Sequence, residues 1–589
     1  MKNISLLFIA FAVPSLALAQ SDTLWTAEII SIFSKAEEFR TKADSMALDV
    51  ESASDYLQKD SRFILKQYTP GSVVTSSFGG ATSEQSRVLW DGIDISSMAT
   101  GVLDLSLVPA LMLSTDAIVD GMNGGATAAM GSMGALNINL GQKSGRGTTT
   151  TVGASSIGGR SFNAHSWGSF SKVRYQSILR YNTSANTYPY TLGSLSGRME
   201  GNDFGDLSYL QRFSGRVGKS FWVSDLWYTQ SEKNNSGSVI GPGYVNHLED
   251  ETVRFKYKVK RDNHQLKLFA SQEWQAYTDT MSVLSIRDTN TFGQFTGQYV
   301  YTGKRFDAQL TFNRYSAAGT NRTAKTSMPQ GQVIFKVKKQ IHVVSRAALY
   351  QNKLYLSSYA LYTKTKQGWL HQFSAGTYYR LPTLNELFWN PGGNLNIAAE
   401  RSYGAKYSFE LGGQTRLRFT TDQLYYDQMI QWAPGNNGLW SPQNYYSVYT
   451  GTTNISLNKD FFGQHHDANI THQYSRILDV ASNNPNLIGK QLIYRPALQA
   501  VYTIEQPLPI GSIMLRAYYT GLRHTLRDNA STGELPAQGW CDLAYSLSGK
   551  DKRWQCVLKI ENLTGAQRQY YQYYPMPGRT YLFNFKLHS

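Results

Sequence analysis

The chain is 589 residues long, carries a formal net charge of +15, and has only two cysteines, Cys541 and Cys556. Two cysteines exclude a disulfide framework as the main source of stability. The lack of a compact basic run excludes nucleic acid as the reason for the charge, which leaves Lys and Arg on a lumen and its loops, an anionic ligand, or anionic lipopolysaccharide. Tyrosine reaches 38 residues and aromatics 13%, although mean hydropathy is only −0.37. A membrane barrel has this composition, because Tyr and Trp line its two interfaces with an apolar body and a wet tip.

Residues 1–19 read as a signal peptide. Lys2 supplies the positive start, Leu6 to Leu18 is apolar apart from Pro14 and Ser15, and Ala17-Leu18-Ala19 is a small-x-small cleavage site before Gln20. The apolar stretch is too short for a stable spanning helix, and no Cys follows the site to carry a lipid. Residues 20–45 form an extended or loosely helical leader. Residues 46–142 are rich in Gly, Ser, Ala and Met, and short apolar segments alternate with turns: Arg62–Lys66, Arg87–Trp90, Ala117–Val119 and Ala135–Leu140. That texture predicts a small α+β domain, with Ser52 or Ser54 capping a short helix through Asp55-Tyr56-Leu57.

Residues 143–589 switch to period-2 strands. Val253, Phe255, Tyr257 and Val259 alternate with Arg254, Lys256, Lys258 and Lys260, and a turn at Arg261-Asp262-Asn263 follows. Leu266, Leu268 and Ala270 alternate with Gln265, Lys267 and Phe269; Phe306 to Asn313 and Tyr581 to Leu587 repeat the pattern. An apolar face and a charged face fit a soluble sandwich or a membrane barrel, where the apolar face meets lipid. The signal peptide, the aromatic excess and the unbroken run of strands favour the barrel. After the N-terminus no apolar run of about eighteen residues occurs, so any crossing is made by strands. About 22 antiparallel strands of about 9–11 residues fit, with about ten residues per connection. An empty barrel of that width would leak, so a plug is required. The expected fold is an all-β membrane protein, a barrel occluded by the N-terminal α+β plug.

Four segments resemble the TonB-dependent outer-membrane receptors, closest to the compact cobalamin-receptor-like branch of Bacteroidetes type. Asp22-Thr23-Leu24-Trp25-Thr26-Ala27 is similar to a TonB box, a strand that adds to the edge of a partner sheet. Pro70-Gly71-Ser72, Ser77-Phe78-Gly79-Gly80, Val88 to Ile95, Gly101 to Pro109 and Gly131 to Leu140 resemble the plug motifs in order and spacing. Gly92 after Asp91 also supplies the positive φ of a tight turn. Gly79 departs from the pattern, which has an arginine there that helps hold the plug. Tyr379 to Asn394 with Glu400 and Glu410-Leu411-Gly412 resembles a barrel signature. Ile560 to Thr564 with Tyr574 to Tyr581 resembles the closing hairpin, although the chain ends on Leu587-His588-Ser589 rather than on an aromatic.

The resemblance implies uptake, without covalent chemistry or cofactor, of a scarce nutrient: a cobalamin-like corrinoid, a siderophore or another metal chelate. The implied partners are TonB, outer-membrane lipid and lipopolysaccharide, and the nutrient itself; the short loops left by the strand count add a surface lipoprotein covering the mouth as a candidate partner. It places Gly71, Ser72 and Ser96-Ser97-Met98-Ala99-Thr100 at the vestibule, and Trp389, Asn390, Asn394, Trp432, Asn436, Asn437 and Trp440 in extracellular loops. Girdle aromatics are the competing explanation for the tryptophans. A ligand sensor, a passive porin and an adhesin are the alternatives on the same barrel. The ten His residues show no metal-ligand spacing, and His465-His466 is assigned to a solvated loop. The two cysteines are expected as free thiols, a bridge being the alternative.

Overall fold

The computed structural model describes residues 52–113, 118–119, 134–241, 245–279, 286–319, 322–366, 368–389, 392–413, 415–434, 440–480 and 485–589. The signal peptide, the leader, Asp22–Ala27, Asn390, Asn436 and Asn437 lie outside them.

The plug begins with α1 (Ala53–Leu57), capped by Ser52: its Oγ accepts from Asp55 N–H and its own N–H donates to Asp55 Oδ2 at 2.9 Å. Strands β1 (Phe63–Lys66) and β2 (Thr75–Phe78) form an antiparallel hairpin, Phe63 opposite Phe78. Strands β3 (Ser86–Trp90), β4 (Ile93–Asp94), β5 (Ile118–Val119) and β6 (Gly134–Ile138) make a second sheet in the order β4-β3-β6-β5, with β3 and β6 parallel. The predicted Asp91-Gly92 turn joins β3 to β4, with φ of +52° and +82°. Gly92 N–H donates to Asn137 Oδ1 on β6 at 2.9 Å, which fixes the turn against the sheet.

Around this domain 22 antiparallel strands close a barrel. Its first strand, Gly147–Ser155, pairs with its last, Thr580–His588, Leu582 opposite Ser155 and His588 opposite Thr149. The C-terminal residues 588–589 therefore take part in closure, Ser589 N–H donating to Thr148 O at 2.9 Å. The alternation seen in the sequence sorts the faces as a barrel requires: Phe255 is 42% exposed on the outside and Lys256 is 1% exposed within. Two inward aromatics, Trp227 and Phe269, break the polar lumen. Each meets the plug's buried Trp90 edge-on, with ring centroids at 5.4 and 6.3 Å, so plug and barrel share one core.

One rim carries tight turns such as 171–172, 218–219 and 462–463; the other carries the connections 185–203, 381–399, 481–497, 521–537 and 562–579. The even allowance of about ten residues per connection is not what forms. Strands run from 8 residues (Trp554–Glu561) to 22 (Trp440–Phe461), because several extend past a bilayer's thickness on the long-connection side. A hairpin there also turns as tightly as those of the other rim, at Gln351-Asn352. His465-His466 is in the strand Gln464–Val480 rather than a loop. Adjacent strand residues face opposite ways, and the pair goes to different partners, Asp460 and Tyr502. Both cysteines are free. Register sets Cys556 opposite Leu547, well along the strand from Cys541.

Candidate ligand site and plug interface

Below the long connections, the plug loop between β1 and β2 rises to present Tyr68. Gly71 makes the loop tight enough: its φ is +76°, and a Cβ there would collide with the Phe204 ring. Ser72 Oγ accepts from Tyr68 N–H and Thr69 N–H at 3.0 and 3.3 Å, which pins the loop from inside. Tyr68 is 42% exposed. It stacks on Tyr571 with centroids at 4.5 Å and meets Tyr574 edge-on at 4.8 Å, and Tyr571 meets Tyr494 at 5.0 Å. Burial, then the neighbouring Tyr574 and Tyr494, raises the Tyr68 phenol above its ordinary range, and burial raises Tyr494, Tyr571 and Tyr574 too. The four stay neutral near pH 7. They form an amphipathic aromatic floor with hydroxyl tips, drawn from the plug and from the connections 481–497 and 562–579. Trp389 lies in the same rim, its ring 6.2 Å from Tyr277.

A second plug loop, Ser96–Gly101, meets a folded-in connection. There α2 (Leu384–Phe388) starts from a capping box in which Thr383 N–H donates to Glu386 Oε2 at 2.7 Å. Leu384 and Asn385 N–H donate to Met98 O and Ala99 O at 3.3 and 2.9 Å, and Ser97 Oγ donates to Glu273 Oε1 at 2.9 Å. Arg380 holds the connection down through Glu386 and Glu400, at 2.9 and 2.8 Å. Gln85 of the plug donates to the same Glu400 at 2.9 Å. A crevice of about 140 Å³ runs beneath this loop between plug and wall, lined by Gln294, Gln298, Gln309 and Gln330 among others.

Ion pairs fasten the plug to the wall. Asp91 Oδ2 is 2.7 Å from Lys258 Nζ and 3.7 Å from Lys256 Nζ, and Oδ1 is 3.7 Å from Lys267 Nζ. Burial alone would raise this carboxyl, but Lys258, Lys267 and Lys256 overcome it and hold it well below the usual carboxylate range. Lys256 continues to Asp225 at 3.1 Å, and Asp225 to Arg212, which donates to Leu140 O of the plug. A separate pin joins Lys233 to Asp104 at 2.6 Å. Where the resemblance expects an arginine, Gly79 has φ +60°; Arg495 donates instead to the next carbonyl, Gly80 O, at 2.6 Å.

The sequence-predicted residues thus fall into separate groups. Gly71 and Ser72 shape the Tyr68 loop. Ser96 is buried and receives Val88 N–H; Ser97, Met98 and Thr100 are half-buried on the second loop, with Met98 packed near Phe292 and Leu384. Trp389 ends α2. Asn394 donates to Pro442 O at 3.0 Å. Trp432 lies near the top of the strand Thr415–Pro434, its carbonyl accepting from Arg527, and Trp440 begins the strand Trp440–Phe461. Tyr68, Tyr494, Tyr571 and Tyr574 were not among the expected site residues. The run Tyr570-Tyr571-Gln572-Tyr573-Tyr574 was the available signal.

No protein-family model matches the chain. It is similar to the vitamin B12 transporter BtuB of Photobacterium profundum, 28% identical over 180 residues, which are 29% of this chain and 28% of that protein. It is also similar to BtuB of Vibrio vulnificus, 36% identical over 77 residues, 12% of each chain. The aligned segments span well under half of either relative. Among solved structures, the copper transporter OprC superposes with a TM-score of 0.73 at 10% identity over 94% of this chain and 97% of that one. The siderophore receptor PirA from Acinetobacter baumannii gives 0.71 at 13% identity over 95% and 97%. The FrpB iron transporter from Neisseria meningitidis gives 0.73 at 10% identity over 94% and 99%. At these identities the structural likeness speaks for the fold. The molecule is a plugged β-barrel of the outer membrane. In fold and in local sequence the chain is similar to TonB-dependent receptors.

Proposed function

We propose that the protein imports a scarce nutrient, energised by TonB, and that the tyrosine floor with Trp389 receives it on the extracellular side. The observation that carries this is the filled barrel. A lumen closed by a domain fastened through Asp91, Asp104 and Arg212 passes nothing of nutrient size until those bonds are rearranged, and rearrangement against buried ion pairs calls for work from outside. In this reading Asp22–Ala27 is the strand on which TonB pulls. Gly71, Ser72, Ser96, Ser97, Met98 and Thr100 form and support the plug's two upper loops, and Trp389, Asn390, Trp432 and Trp440 belong to the mouth. Neutral aromatic rings with hydroxyl tips suit a large, flat, partly apolar chelate, and the named relatives transport vitamin B12, iron and copper or bind siderophores. Two measurements test the proposal. Deleting residues 22–27 should abolish uptake and leave binding intact; an unchanged uptake rate would favour a passive pore. Titration of the purified barrel with cobalamins and siderophores should give a submillimolar ligand, and failure of all of them would sink this cargo class.

A further inference from the structure

Beside the tyrosine floor, a cavity of about 50 Å³ separates β1 of the plug from the barrel wall. Phe63–Lys66 form one side, Gln499–Val501 and Tyr518–Thr520 the other, with Tyr494, Arg523, Trp540 and Tyr570 around them. Arg523 is 4% exposed. Its Nη1 donates to Gln569 O at 2.8 Å, whereas Nε and Nη2 have no hydrogen-bond partner among the described residues. Those two nitrogens form the edge of a guanidinium that grips a carboxylate or phosphate with parallel bonds. Trp540, 8% exposed, lines the same cavity, and its Nε1 is likewise a buried donor without a partner among the described residues. The one carboxylate on the described lining is Asp60, which Arg62 already grips through both oxygens at 3.0 Å. Lys66 also lines the cavity, so cationic charge exceeds anionic charge there. Burial pulls Arg523 down to about 10, and burial and then Arg495 pull Lys66 down to about 8. Desolvated donors with nothing to bond are costly; here both residues line a space that an acceptor can fill.

We propose that this cavity is an oxyanion site: it takes one carboxylate or phosphate group, held side-on by Arg523 Nε and Nη2, with Trp540 Nε1 as a further donor. Tyr494 belongs both to the cavity and to the aromatic floor, so the group is carried by a molecule resting on the tyrosines. That last clause rests on the uptake reading; the site itself does not.

The test uses the full-length barrel in detergent with three probes: phenol, phenyl phosphate and inorganic phosphate. Phenyl phosphate should bind at least about tenfold more tightly than phenol, as a bidentate charge-assisted pair implies. Arg523→Gln should remove that preference while leaving phenol binding unchanged, and Arg523→Lys should restore only part of it. Inorganic phosphate binding as tightly as phenyl phosphate would keep the site and make its ligand a free anion. Equal binding of phenol and phenyl phosphate to the unaltered protein would overturn the proposal, as would a preference that survives Arg523→Gln. A crystal of the unaltered protein soaked in selenate guards against misfolding of the variants. An anomalous peak at Arg523 supports the site, and a water there refutes it. None of these readouts involves residues 22–27, so failure here and failure of TonB-driven uptake are separate results.

Discussion

Replacing Asp91 with Asn should loosen the plug without harming the barrel. The carboxylate is 4% exposed and faces three ammonium groups at 2.7, 3.7 and 3.7 Å. Lys256 keeps Asp225 at 3.1 Å after the substitution, but Lys258 and Lys267 lose the anion between them. Removing one partner of a buried pair costs about 3–5 kcal/mol. Lys258 is 17% exposed and finds some water, and a buried lysine can shed its proton, so roughly 3 kcal/mol is expected. That is about a hundredfold in local opening. Hydrogen exchange read by mass spectrometry on β3 and β4 measures it, with the strand Thr580–His588 as the internal control. Acceleration below about tenfold with an unchanged barrel would refute the role of Asp91 as a pin. The pH dependence has a fixed sign. The folded-state pKa of Asp91 is depressed, so its stabilisation is complete above the unfolded carboxylate value of about 3.9. It is lost only as pH falls through the lower folded value. Protection of β3 should therefore stay flat in this respect down to about pH 5 and fall only in stronger acid; in Asp91→Asn this acid loss should be missing.

Other substitutions separate the parts of the site. Tyr571→Ala removes the stacking partner of Tyr68 and should weaken binding of an aromatic or flat ligand by roughly threefold to tenfold, since such ring contacts are worth about 0.5–1.5 kcal/mol; isothermal titration reads this. Gly71→Ala should destabilise the β1–β2 hairpin by more than about 1 kcal/mol, because a left-handed φ penalises any Cβ and Phe204 occupies the space; hydrogen exchange of β1 reports it. Arg380→Gln leaves Glu386 and Glu400 buried without their cation and should free the connection 381–399, seen as new protease cleavage there while the barrel stays intact.

What the sequence reveals is set by distance along the chain. Alternation over Val253 to Lys260 is local, and it separates an apolar face from a charged one. The Asp91-Gly92 turn is equally local. The partners of Asp91, by contrast, lie on strands far from it in sequence, and nothing near Asp91 distinguishes a pin from a turn residue. Phe269 shows the same limit: its place among Gln265 and Lys267 marks it as inward, but only the packed structure gives it Trp90 as a partner. The tyrosine floor failed to emerge for a third reason. Tyr68, Tyr494 and Tyr571 come from three separate loops, and tyrosine is so common in this chain that one more in a loop reads as girdle.

Gly79 brings these strands of reasoning to one measurement. A Cβ built at residue 79 would lie 4.0 Å from Asp422 Oδ2, so the barrel still offers a carboxylate where an arginine would reach. Asp422 is 8% exposed, and Lys406 Nζ stands 3.8 Å from its Oδ1. The desolvation of this carboxylate is therefore already borne by the fold. Gly79→Arg adds a guanidinium to it, but at φ +60°, where any L-residue is strained by about 1–2 kcal/mol. Gly79→Ala carries that strain without the charge. The comparison of the two cancels the strain and isolates the pair: the Arg variant should hold the plug more firmly than the Ala variant by about 1.5–3 kcal/mol, the worth of a hydrogen bond to a charged group. Asp422→Asn should remove most of that difference, as measured by exchange of β2 in the four proteins. A plug no firmer with Arg than with Ala would mean that Lys406 and Arg495 have taken over the position entirely and that Asp422 no longer answers to the plug.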